Sequence, residues 1–311
     1  MSGGITVQCP DPRVTAVLGE WLDAGRLEPS RPLTLDITIA DPAPPGPDLV
    51  QPPFRQPEVA IHVLPGRDTD TVHVRWDLAP AYAIIGARPD SAQVVLSPAA
   101  AARIDAARRT FFVSVLIFLL RRVGWHHVHA ATAIDTGGRG WLFAGNSGAG
   151  KSTTAALLAS RGWRIGTDDL AFLSPAGERV SVIGFREPLA LRPGGVALLD
   201  RLGAGPAAVL TRRDKTGYWP EDLGGQWTPR VEPDVVCFTS IGDATTTVAP
   251  LRPKETLASL VRWSAWVILE PALADQHLQL ITGLARQARG FRVTLGRDLF
   301  EQRIALEDLV S

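Results

Sequence analysis

Eight residues, Gly145-Asn146-Ser147-Gly148-Ala149-Gly150-Lys151-Ser152, constrain this chain more than any other stretch. Two glycines separated by four residues and followed by Lys and Ser form the phosphate-loop pattern. The run before it, Gly140-Trp141-Leu142-Phe143-Ala144, reads as a short buried strand, and the run from Ser152 through Thr153, Thr154, Ala155, Ala156, Leu157 and Leu158 reads as a helix. Successive backbone N–H groups can close on phosphate oxygens only where side chains are absent or small, which Gly145, Gly148 and Gly150 supply. The unpaired N–H groups and positive dipole end of the helix attract the phosphates. Lys151 then reaches the β- and γ-phosphates, and the Ser152 hydroxyl ligates Mg²⁺. The expected ligands are therefore a nucleotide and Mg²⁺, held over residues 145–153.

After the helix, Arg161-Gly162 supplies a stop, and Trp163-Arg164-Ile165-Gly166-Thr167 reads as a strand ending in Asp168-Asp169. Carboxylates at a strand end beside a phosphate loop stand where the metal and the attacking hydroxyl meet. Upstream, residues 125–134 read as a strand that pairs with the phosphate-loop strand through the turn Asp135-Thr136-Gly137-Gly138. Alternation puts His127 and His129 on one face of it, with no third ligand at metal spacing. Two later runs, 186–193 and the charged 212–220, are expected to face the phosphates.

The chain has 311 residues, 45% of them hydrophobic, enough for two ordinary domains. Lys plus Arg and Asp plus Glu balance at 32 each, so no basic field exists to hold nucleic acid or an anionic membrane by charge. Two cysteines, Cys9 and Cys237, make neither a disulfide framework nor a Cys-based zinc site, which suits a reducing cytoplasm. The start, Met1-Ser2-Gly3-Gly4, has no secretory pattern, and the longest apolar stretch, 111–120, is about half of what a spanning helix needs. A soluble, cytoplasmic protein is expected.

Residues 1–98 read as a β-rich or α+β module: strands at 5–7, 33–39, 59–63, 72–76 and 81–85, a short helix over 14–24, a proline-rich connection over 42–57 and a turn at Gly66-Arg67-Asp68. His62 and His73 are read as ordinary sheet residues. Ser97-Pro98 opens a long apolar helix over 99–124 that links this module to the domain 125–311, with Arg121 and Arg122 favouring its C-terminal dipole. Residues 254–285 read as helices with Trp263, Trp266, Ile268 and Leu269 as core. A strand at 291–295 and a closing helix over 298–309 finish the chain.

The phosphate loop, the Arg161-Gly162 helix end, the pair Asp168-Asp169 and the upstream His129 together resemble the HPr kinase/phosphorylase family over residues 125–240 and the closing segment. The branch found with peptide-modification genes, including lasso-peptide kinases, is the most similar. The resemblance implies an α/β phosphate-loop kinase domain behind a smaller N-terminal domain. It implies ATP- and Mg²⁺-dependent transfer to a Ser or Thr hydroxyl of a peptide or protein. In its terms Lys151 holds the transferred phosphate, Asp168 is the base, His129 orients the phosphate, Lys215 faces the substrate, and Asp169 and Glu187 join Ser152 on the metal. The family is hexameric and its relatives vary, so the resemblance leaves a homo-oligomer open without fixing the oligomeric state. Arg186-Glu187-Pro188 departs from the Glu-x-Arg-Gly of HPr kinases proper, which points away from HPr as the acceptor and leaves a phosphorylase reaction without support. Two other readings stay open: a nucleotide-binding module without transfer, and a kinase of a small-molecule hydroxyl.

Overall fold

The structure, a computed structural model, describes residues 4–41, 54–66, 69–201, 203, 210–212, 214–301 and 304–310. The proline-rich stretch 42–53, the turn residues Arg67 and Asp68, and Arg213 of the charged run lie outside the described residues. The chain divides into two units, Met1–His126 together with Trp266–Gln276, and His127–Ala265 together with His277–Ser311. Both mix helices and sheet.

In the first unit the alternation of Leu33, Leu35 and Ile37 with polar residues makes a strand with one buried face. Among the described residues seven strands form one sheet: β1 (Ile5–Gln8), β2 (Leu33–Ile39), β3 (Phe54–Gln56), β4 (Val59–Leu64), β5 (Thr71–Trp76), β6 (Ala81–Arg88) and β7 (Ser91–Leu96), in the order 1-2-7-6-5-4-3. β1, β2 and β7 run parallel, and the hairpins that follow are antiparallel. Helix α1 (Pro12–Gly25) bridges β1 and β2. The Asp11 carboxylate caps it by accepting from the N–H groups of Arg13 and Val14, and its buried Val14, Leu18, Trp21 and Leu22 make the apolar stripe. His62 and His73 face each other across β4 and β5.

The helix expected over 99–124 is not continuous. It runs as α2 (Pro98–Ala102), α3 (Ile104–Ala107), a π-helical turn at Arg108–Phe112 and α4 (Val113–Arg121). Phe111 and Phe112 in the π-helical turn are both 0% exposed, as are Phe118, Leu119 and Leu120 in α4, so the stretch is buried on all sides. α4 packs on β5, β6 and β7, so this stretch is core of the first unit. Arg121 and Arg122, expected to serve the helix end, instead clamp Glu270: Arg121 Nε lies 2.6 Å from one carboxylate oxygen and Arg122 Nη2 bonds the other. All three side chains are buried. Burial pushes the Glu270 pKa up while the two arginines pull it down. Arg121 also donates to the Trp266 carbonyl at 3.0 Å, and Asp70 accepts from the Ala272 N–H at 3.0 Å. These contacts seat Trp266–Gln276 in the first unit. Trp266 is core there, edge-on to Phe118, but Ile268, expected as core, is 77% exposed because the short 3₁₀ turn Ala265–Ile268 turns it outward.

The second unit carries a ten-stranded sheet among the described residues. Its strands are β8 (His126–Ile134), β9 (Gly140–Ala144), β10 (Arg164–Thr167), β11 (Leu170–Ala176), β12 (Arg179–Gly184), β16 (Gln226–Trp227), β17 (Arg230–Val231), β18 (Pro233–Ile241), β19 (Thr247–Leu251) and β20 (Arg289–Leu295). A separate three-stranded sheet holds β13 (Leu189–Leu191), β15 (Lys215–Tyr218) and β14 (Leu210–Arg212), in that order. The main path is 17-12-11-8-9-18-20-19, with β10 on β8 and β16. β9, β18 and β20 are parallel, and β8 is antiparallel to β9.

Helix α5 (Lys151–Ser160) follows β9, and its Ala155 to Ala159 join Trp141, Phe143, Trp163, Cys237 and Phe291 in the core. Helices α6 (Pro193–Arg201), α7 (Pro253–Arg262) and α8 (Pro271–Gln287) complete the frame. The closing helix is instead two short ones, α9 (Arg297–Phe300) and α10 (Leu306–Leu309). No helix of the described residues is long and apolar enough to cross a membrane.

Candidate functional site

The phosphate-loop pattern lies where the sequence puts it, between the C-terminal end of β9 and the N-terminus of α5. A Cβ on Gly145 would stand 2.7 Å from the Thr239 carbonyl oxygen of β18, so the loop leaves the sheet through a gap only glycine fits. Gly148 and Gly150 have φ of +84° and +87°, the left-handed region that side chains avoid. Asn146, Ser147 and Gly148 form an exposed crest closed by the Ala149 N–H donating to the Asn146 carbonyl at 3.0 Å. Lys151 folds across this loop, its Nζ donating to the carbonyls of Gly145 at 2.8 Å and Asn146 at 3.2 Å. Burial lowers its pKa, Asp169 and Asp168 draw it back up, and Lys215 lowers it again. A cation bonded to neutral carbonyls exchanges them favourably for phosphate oxygens, because charge-assisted bonds are about twice as strong.

A bulge sets the aspartate pair. The register of β10 on β8 shifts between Ile165 and Thr167, with Gly166 in the shift. A Cβ at Gly166 would lie 2.3 Å from the Thr132 hydroxyl, and one at Gly184 would lie 2.4 Å from the Gly166 carbonyl. The chain then bends at Asp168-Asp169 before resuming as β11.

Asp168 points inward at 7% exposure and accepts from the Ala190 N–H at 3.2 Å and from the Ser152 hydroxyl. Burial and the neighbouring Asp169 raise its pKa, partly offset by Ser152, Ala190 and Lys215. Asp169 points the other way, 64% exposed, with Oδ1 2.9 Å from His129 Nε2. Crowding works to raise its pKa, but the hydrogen bond and charge of His129, then His127 and Lys151, hold it below the usual carboxylate range. His127 shares the face of β8 with His129, buried and edge-on to Phe172.

Lys215, at the start of β15, stands within electrostatic reach of both Lys151 and Asp168. Arg192, one residue beyond β13, brings Nη1 to 3.9 Å from the place a Cβ would take on Gly148, and has only a loose 3.9 Å ion pair with Asp214. Arg186, from the same run, is used otherwise: it lies over Trp219 at 4.4 Å and bonds Glu221 at 3.0 Å. Glu187 is half-buried in the loop between β12 and β13, and Thr153 packs toward Gly195 of α6. Sequence reasoning did not single out Arg192 from the other arginines of its run, nor the bond joining Ser152 to Asp168. Both follow from the three-stranded sheet that carries Ala190 and Lys215 over the loop.

Among solved structures the chain is similar to the Hpr(Ser) kinase/phosphatase from Coxiella burnetii, at 13% identity and a TM-score of 0.31, the match covering 60% of this chain and 93% of that one. No family model and no curated protein matches the chain. A likeness at that level carries no residue roles across, and the site stands on its own geometry.

Proposed function

We propose that this chain is a kinase that transfers the γ-phosphate of Mg²⁺-bound ATP to a Ser or Thr hydroxyl of a peptide or protein. The observation that carries the reading is the division of the aspartate pair at the bend after β10, beside the phosphate loop: Asp168 to Ser152, Asp169 to His129. A module that only binds nucleotide needs the first of these and has no use for the second.

The donor set fits Mg²⁺, which takes hard oxygens and needs only one or two protein carboxylates when phosphates and water supply the rest. Ser152 and Asp168 are the residues proposed to hold it, with Glu187 as a further carboxylate; bound there, Mg²⁺ would neutralise phosphate charge. This exchanges the roles that the family resemblance implied for the two aspartates. Asp169, ionised and steered by His129, is the base proposed to receive the acceptor proton as the hydroxyl oxygen bonds the γ-phosphorus and the bond to the ADP oxygen breaks. Lys151, Lys215 and Arg192 bring three positive charges to the loop, available to neutralise the transferring group.

The test is incubation of the protein with γ-labelled ATP, Mg²⁺ and a library of Ser- and Thr-containing peptides, read by mass. Transfer to a peptide hydroxyl supports the proposal. ATP binding with no transfer to any peptide, protein or small alcohol would replace it with the nucleotide-binding module.

A further inference from the structure

Ile241, the last residue of β18, is 54% exposed. Its Cδ1 would stand 2.7 Å from a Cβ on Gly150, and Leu295 Cδ1, at the end of β20, would stand 2.9 Å from the same point. The tips of these two strands therefore form the wall beside the last glycine of the phosphate loop.

The opposite flank of β9 is already assigned. Asp168, Asp169 and His129 belong to β8 and to the bend between β10 and β11, on the far side of β9 from β18 and β20. A polyphosphate lying along residues 145–152 with its terminal phosphate at those aspartates has the β18 and β20 flank of the loop open to its other end.

What stands there is held rigid. The Thr246 hydroxyl donates to Asp298 at 2.6 Å, the Thr246 N–H donates to the same carboxylate at 2.9 Å, and the Gly296 N–H donates to the Thr246 hydroxyl at 2.9 Å. The Gly242 N–H bonds the Leu295 carbonyl, and the N–H groups of Arg297 and Asp298 bond the carbonyls of Asp243 and Ala244. Residues 242–246 are thus latched to 295–298, which leaves Ile241 on a fixed support with Asp243, Ala244 and Thr245 exposed beside it.

We propose that Ile241 is the platform on which the purine ring of the nucleotide lies, the latched loop flanking its edge. The inference rests on the reading of residues 145–152 as a nucleotide site and adds the subsite for the base. An apolar face fixed before binding loses little conformational entropy when a flat ring covers it.

Two probes separate the base from the phosphates: ATP, and inorganic tripolyphosphate, which has no base. Calorimetric titration of both, with Mg²⁺ present, is carried out on wild type, Ile241→Ser and Ile241→Leu. Ile241→Ser is expected to weaken ATP about fivefold, from the apolar area lost, with tripolyphosphate unchanged and Ile241→Leu near wild type on both. ATP affinity unaltered in Ile241→Ser, or tripolyphosphate weakened as much as ATP, would overturn the platform while leaving the phosphate site standing. Wild-type protein that binds neither probe would overturn the nucleotide site and the platform with it.

Discussion

Replacing Asp168 and Asp169 by asparagine, one at a time, separates two carboxylates that neighbour each other in sequence and diverge in space. Asp168 accepts from Ser152 and Ala190, so its oxygens lie with the loop serine; Asp169 lies with His129. A hydrogen bond to a charged group is worth about 1.5–3 kcal/mol, so Asp168→Asn should weaken Mg²⁺·ATP by about ten- to a hundredfold. Asp169→Asn should keep that affinity and slow transfer by about two to four orders of magnitude, the usual worth of a positioned base. Stability supplies an independent check. Burial and Asp169 raise the Asp168 pKa above its unfolded value of about 3.9. Stability is then lost as pH rises through the folded pKa, and at neutral pH the buried charge costs its full amount. Asp168→Asn removes that charge, so its Tm at pH 7 should equal or exceed that of wild type, with the advantage disappearing below about pH 4. Calorimetric affinity, single-turnover transfer and a pH series of melting curves read the three quantities. Weakened Mg²⁺·ATP binding in Asp169→Asn, with Asp168→Asn binding normally, would refute the division of labour.

Lys151→Ala should abolish detectable ATP binding while leaving far-ultraviolet circular dichroism unchanged, since the lysine bonds only loop carbonyls; wild-type affinity in the variant would sink the phosphate-loop assignment. A chelator should weaken ATP on wild type, and equal affinity with and without it would remove the metal from the site. In the first unit, Glu270→Ala leaves Arg121 and Arg122 buried without their carboxylate and should cost about 3–5 kcal/mol in urea unfolding. A loss under about 1 kcal/mol would show that other groups neutralise them. Burial, with the Arg121 charge adding and the Gln276 bond opposing, lowers the His126 pKa to about 4. Because the folded pKa lies below the unfolded value of about 6.5, stability should fall as pH drops from about 6.5 toward about 4. His126→Gln should flatten that limb, and an unchanged slope would count against a buried neutral imidazole.

Local chemistry was legible where spacing along the chain decides the outcome. Gly145, Gly148 and Gly150 had to be glycines for reasons of φ and clearance, and a strand ending in Asp168-Asp169 beside them could be read without coordinates. Alternation rightly put His127 and His129 on one face, both near Asp169. What the sequence hid depends on partners far along the chain. Arg121 and Arg122 looked like ordinary helix-end cations because Glu270 is remote. Ile268 looked like core because its composition, not the 3₁₀ turn beneath it, was visible. The direction of each aspartate depended on a one-residue register shift at Gly166, for which the isolated glycine in the strand was the one available sign, and which partner each carboxylate would meet was not encoded nearby.

The pair Arg122 and Glu270 joins residues 148 positions apart, and nearly all the chain between them belongs to the other unit. On a ribosome adding about 5–20 residues per second, the interval between emergence of the arginines and of their carboxylate is about 7–30 s. Throughout that time the nascent first unit carries two arginines destined for burial, with Asp70 the nearby carboxylate already made and Glu270, the one they clamp, still missing. Its completion must therefore wait on translation of most of the second unit, so the unit begun first is not the first that can be finished.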